Sequence, residues 1–179
     1  PSWKEGREYQ TEAYAENGTT LLRKVQSTWQ NKTVPWLTDQ SIAPAFDTAI
    51  SEIITTLADT NQVSKSTFTY DNFNNLIDKF EYEFGTGAPG AFLRRSHTDF
   101  VVDPNYASPT GSHLRGLPTQ SWVSSDIGGN NKIALSQIEY DNYSTDARHA
   151  PLLPRSNVTG HDTANYGPGF IRRGNPTQT

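Results

Sequence analysis

His97 and Asp99 stand in His-x-Asp spacing. On an extended backbone both side chains point to one side, the arrangement that a metal ion or an acid–base pair needs. Asp103 and His113 follow as candidate partners, and His149 and the pair His161–Asp162 lie farther along. No further residue completes a ligand set at a suitable spacing, so ordinary surface histidines are the simpler expectation, with no metal and no cofactor. A serine nucleophile is usually presented on a Gly-x-Ser-x-Gly turn, and the chain has none. Glu81 and Glu83 read as a solvated helical face rather than a working carboxylate pair.

Gly85-Thr86-Gly87-Ala88-Pro89-Gly90 has the letters of a dinucleotide-binding loop. That chemistry needs a strand before the loop and a helix after it, so that a pyrophosphate meets helix N–H groups. Here a helix is expected before it, and Pro89-Gly90 argues against one directly after. The glycines therefore read as a helix terminus followed by a loop.

Two arginine pairs, Arg94–Arg95 beside Phe92 and Phe100, and Arg172–Arg173 beside Phe170, combine guanidinium groups with rings. That mixture suits phosphates and stacked bases of single-stranded nucleic acid; the competing account is salt bridges within or between chains. Residues 1–84 carry 7 basic and 12 acidic groups, whereas residues 85–179 carry 8 basic and 7 acidic, so the net charge of −4 is unevenly spread. An acidic total disfavours nucleic-acid binding by a lone chain, though not by a polymer presenting many copies of the same arginines.

With no cysteine in the chain, disulfides, zinc–thiolate sites and thiol catalysis are excluded. No apolar run approaches the roughly 20 residues that span a bilayer, so no membrane partner is expected, and a virion or cytoplasmic setting fits. Pro1 reads as a start left by processing. Sequons begin at Asn17, Asn31, Asn142 and Asn157, a number that chance supplies in a chain with 13 Asn.

The elements that must position these groups read as mainly α. An arm over residues 1–18 precedes a helical core over 19–84. A first helix starts at Thr19 or Thr20 with Leu21, Leu22, Val25 and Trp29 along one stripe, and Pro35 bounds it. A second, capped by Asp39 or Ser41 with Pro44 in its first turn, lines up Ile42, Phe46, Ala49, Ile50, Ile53, Ile54 and Leu57. A third, capped by Thr69, carries Phe73, Leu76, Ile77, Phe80 and Phe84 and stops at Gly85. Residues 85–147 form a loop-rich region with short extended pieces at 100–103 and 120–123. The stretch 131–140 reads either as a fourth helix or as a strand. Residues 148–179 read as an extended arm, and no internal repeat or heptad organises the chain.

The expected architecture is thus a single domain, a three- or four-helix bundle with long irregular arms. Long unpatterned segments rich in rings are uncommon in a domain that buries them alone. The expected function is a structural, coat- or capsid-type subunit of a self-assembling particle or filament, packing against copies of itself through exchanged arms and contacting nucleic acid through Arg94, Arg95, Arg172 and Arg173. The alternatives are a hydrolase or processed enzyme chain using His97, Asp99, His113 or His149, and a secreted binding module suggested by the sequons and aromatics.

Overall fold

A computed structural model of the chain describes residues 2–32, 47–107, 111–153, 159–160, 162–167 and 169–179. It is mostly antiparallel sheet, and the helical bundle expected from periodicity is absent among these residues. Eight strands follow one another in chain order across the sheet: β1 (Gln10–Tyr14), β2 (Leu21–Lys32), β3 (Asp47–Leu57), β4 (Gln62–Tyr70), β5 (Leu76–Thr86), β6 (Phe92–Phe100), β7 (Pro118–Ser124) and β8 (Lys132–Gln137). A second, two-stranded sheet pairs β9 (Glu139–Tyr140) with β10 (Pro176–Gln178). The helices described are one turn each, α1 (Pro104–Ala107) and α2 (Thr163–Tyr166), with a 3-10 turn at Ser2–Lys4.

Side-chain chemistry explains the correction. The expected second helix becomes β3, Asp-Thr-Ala-Ile-Ser-Glu-Ile-Ile-Thr-Thr-Leu, whose Thr and Ile residues are stiff at χ1 and favour a pleated surface. The first becomes β2, which returns from β1 through Asn17-Gly18; the Asn17 carboxamide oxygen accepts the N–H groups of Thr19 and Thr20, and Gly18 has φ of 67°. Asn-Gly is a strong hairpin signal. The third becomes β5, where Leu76, Asp78, Phe80, Tyr82 and Phe84 alternate along one side, while Thr69 lies in β4 and Gly85 within β5. The 131–140 stretch is strand, as β8 and β9. Pro35, the caps at Asp39 or Ser41, and Ile42, Pro44 and Phe46 lie outside the described residues.

Two compact units emerge from the contacts. The first comprises Pro1–Thr98 with Trp122–Leu135, the second Asp99–Ser121 with Ser136–Thr179. In the first unit the meander pairs neighbour to neighbour, from Thr11↔Val25 and Val25↔Thr55 to Thr67↔Phe80 and Phe80↔Arg95, with register shifts at Ala13/Tyr14, Thr28/Trp29, Thr69/Tyr70 and Glu81/Tyr82. Among the described residues its buried members are few: Ala49, Val63, Trp122, Asp78, Ser124 and Gly129. Rings are covered by cations instead. Lys65 lies over Tyr82, Arg95 over both Phe80 and Trp122, and Lys132 over Trp122. Each such contact is worth about 0.5–2 kcal/mol, according to its desolvation.

The second unit contains a repeat that reading along the chain misses. Arg-Gly-x-Pro-Thr-Gln occurs at 115–120 and again at 173–178. Both copies bond in the same way. Leu117 O accepts the Val101 N–H at 2.9 Å, as Asn175 O accepts that of Asp141 at 3.0 Å. The hydroxyls of Thr119 and Thr177 donate to the carbonyls of Asp99 and Glu139, each at 3.2 Å. The leading arginine satisfies carbonyls at or just beyond a one-turn helix: Arg115 Nε donates to Ala107 O, while Arg173 donates to Tyr166, Gly167 and Phe170. Each helix starts at an aspartate, Asp103 or Asp162, whose carboxylate accepts an Asn N–H.

Gly129 fixes the turn beside Trp122. Its φ is 77°, and a Cβ there would stand 2.5 Å from the indole. Gly129→Ala is therefore expected to destabilise the first unit by about 1–3 kcal/mol, through strain at positive φ together with overpacking. Urea unfolding followed by tryptophan fluorescence measures this.

Candidate functional site

In the first unit, β5 and β6 bring Asp78, Arg95 and His97 together. Adjacent residues of a strand point to opposite sides, so Arg94 and Arg95 do not act as a pair. Arg94 turns to Glu81, Nε to Oε2 2.6 Å, on the side where Lys79 also meets Glu81. Glu81 and Glu83, two residues apart in a strand, share that side instead of diverging as on a helix. Arg95 turns to Asp78, Nε to Oδ1 2.7 Å, and His97 Nδ1 reaches the same oxygen at 2.7 Å. The imidazole stacks on Trp122 with centroids 4.6 Å apart and planes 23° apart, and Arg95 Nη1 donates to Ile127 O at 3.2 Å. Burial pushes the Asp78 carboxyl up, but hydrogen bonds and charge from Arg95 and His97 outweigh it, so its pKa lies below the usual value. The group is a carboxylate clasped by a guanidinium and an imidazole, the latter stacked on an indole.

In the second unit the most connected carboxylate is Asp141, 5% exposed. It accepts the hydroxyls of Tyr106 at 2.7 Å and Tyr143 at 2.8 Å. It also takes the backbone N–H groups of Arg173, Gly174 and Asn175, at 2.8, 2.7 and 3.0 Å. Burial again acts upward, and these donors outweigh it, holding Asp141 below the ordinary range. The Tyr106 hydroxyl is pushed up to about 12, by burial first and then by its bond to Asp141.

The remaining candidates have separate partners. Asp99 receives the Thr119 hydroxyl on its carbonyl. His113, at φ 58°, lies with Nε2 3.5 Å from Arg115 Nη2. His149 is held between two carboxylates, Nδ1 at 2.9 Å from Asp146 and Nε2 at 2.8 Å from Glu139. Arg172 lies over the Tyr106 ring and 3.8 Å from Asp103, while Arg173 is spent on carbonyls. His161 lies outside the described residues. Among the described residues no three His, Asp or Glu side chains are grouped to hold a metal ion.

The chain matches no protein-family model, no curated protein and no solved structure. What the sites can do is therefore read from their geometry. Asp78 and Asp141 were not singled out by the sequence, although a signal existed for the latter. Tyr-Asp-Asn-ring occurs at 70–73 and 140–143, and in both copies the aspartate collects backbone N–H groups; Asp71 takes those of Phe73 and Asn75. The chemistry shown is that of fully partnered structural carboxylates.

Two outcomes follow. Asp141→Asn, which faces donors with an amide, should cost the second unit about 2–4 kcal/mol, measured by thermal unfolding. Because the folded pKa of Asp141 is depressed, its stabilisation is present above the unfolded value of about 3.9 and is lost as pH falls through the folded value, so the variant should also show a shallower loss of stability in acid. For His149, the bond to Asp146 and then that to Glu139 raise its pKa above 6.5. Its contribution is accordingly full below that value and lost as pH rises through the raised one. NMR titration of the imidazole should show the raised midpoint, and Glu139→Gln should lower it.

Proposed function

We propose that this chain is a structural subunit that joins copies of itself edge to edge, so that one sheet continues into the next. The observation that carries this reading is the state of the two outer strands. β1 and β8 end the strand order, and every residue in both is exposed. Ile133 is 69% exposed and Leu135 55% in β8, and Tyr14 48% in β1. Open edges are usually blunted by proline, bulges or clustered charge. β8, Lys-Ile-Ala-Leu-Ser-Gln, has no proline and a single charge, Lys132.

Two further features favour a second copy as the occupant. Eight successive antiparallel strands leave β8 running opposite to β1, so a copy repeated along the sheet meets the first with the same antiparallel alternation. The register that sets Lys132 against Glu12 also sets Ile133 against Thr11, matching a charge pair and a β-branched pair together. Such contacts are head to tail and build open filaments or rings. The attachment is by sheet edges, replacing the exchange of arms around a helical core.

Light scattering over a concentration series tests it. Association should rise with concentration; Lys132→Glu should weaken it by up to about fivefold, and adding Glu12→Lys should restore it. A chain that stays monomeric throughout would overturn the reading.

A further inference from the structure

We infer that a second surface feature, the cavity beside β1, is a binding site for a phosphorylated small molecule bearing one flat ring, a mononucleotide in size. The cavity measures roughly 300 Å³ and is lined by Lys4, Arg7, Tyr9, Ser27, Thr28 and Trp29. That volume stands at the small end of ligand sites and admits one ring with one anionic group.

The lining contains two cations, two rings and the hydroxyls of Tyr9, Ser27 and Thr28, and no carboxylate. Its cations are held by rings rather than by acids. Lys4 Nζ lies 5.2 Å from the centroid of Trp3, and the Arg7 guanidinium 5.4 Å from that of Trp29. Among the described residues neither cation has an ion-pair partner, in contrast to Arg94 and Arg95, which are bound to Glu81 and Asp78. Of the acids nearest in sequence, the Glu8 carboxylate accepts the Thr11 hydroxyl, and Glu5 does not line the cavity. A ring-bound cation keeps its N–H donors for an incoming anion. Arg supplies a planar fork for phosphate oxygens and Lys a point charge.

The walls are prepared for a ring. Trp29 is half-buried, and its Nε1 donates to Glu8 O at 2.9 Å, which fixes the indole. The turn before it is closed by the Arg7 N–H on Lys4 O at 3.1 Å, with Gly6 at φ 71°. Tyr9 is anchored through its carbonyl, which accepts the Ser27 N–H at 2.9 Å, while its ring stays exposed. An aromatic ligand group stacks on such rings without sequence-like selectivity, and the phosphate sets its direction.

Adenosine monophosphate, adenosine and inorganic phosphate serve as probes, titrated by calorimetry into chain dilute enough to be monomeric by light scattering, so that failure here and failure of edge pairing are distinguishable. The monophosphate should bind one per chain, more tightly than either fragment, and more weakly as salt rises. Arg7→Gln and Lys4→Gln should each weaken it roughly tenfold. Lys65→Gln, on a different ring, should leave it unchanged in a variant whose circular dichroism matches the parent. Absence of binding at millimolar ligand, equal binding of phosphate alone or of adenosine alone, or indifference to Arg7→Gln would each overturn the inference.

Discussion

The indole of Trp122 meets an imidazole, two cationic side chains and the backbone of Gly129, and the first unit is organised around that meeting. A chain with 34% apolar residues cannot cover a wide sheet with aliphatic groups. It covers rings with the stems and heads of Arg and Lys, which pack along apolar surface while keeping their charge hydrated. Asp78 then neutralises Arg95 where it is most buried, and His97 completes the clasp. Loss of the ring would strand a guanidinium and a carboxylate together, so this polar group depends on its aromatic floor.

How much of this was legible in the sequence depends on the segment. Strand and helix patterns coincide in short apolar runs. In β5 the residues Leu76, Phe80 and Phe84 satisfy both a spacing of four and an alternation, and periodicity alone cannot arbitrate. The β-branched content of β3 and the Asn17-Gly18 turn were the discriminating signals, and they are physical ones: χ1 stiffness, and access to positive φ. Asn61 and Asn74, at φ 52° and 66°, mark two more turns that a reader of asparagine as a polar filler passes over. The stretch 131–140 was ambiguous because Ile133 and Leu135 alternate beside Ala134; exposure on every residue of β8 settles it as an edge.

The candidate sites were less legible, because partnering depends on strand neighbours far apart in sequence. Nothing near Arg95 announces Asp78, 17 residues away, and nothing near His97 announces Trp122. The arginine doublet at 94–95 looked like a unit, yet a strand divides neighbours between its two sides. In the second unit the signal was present as a repeated string. The two copies of Arg-Gly-x-Pro-Thr-Gln perform the same tasks, closing a one-turn helix with arginine and pairing a strand with threonine.

Asp141 has one consequence for the covalent chain. Its carboxylate holds the N–H groups of residues 32 to 34 positions further on, with the hydroxyls of Tyr106 and Tyr143 sharing the same two oxygens. β10 lies beside β9 by the same connection. The intervening peptide is therefore bypassed by noncovalent bonds at both of its ends. A protease that cut once between Ala150 and Thr159 would release no fragment under native conditions; the two pieces would migrate as one until a denaturant parted them.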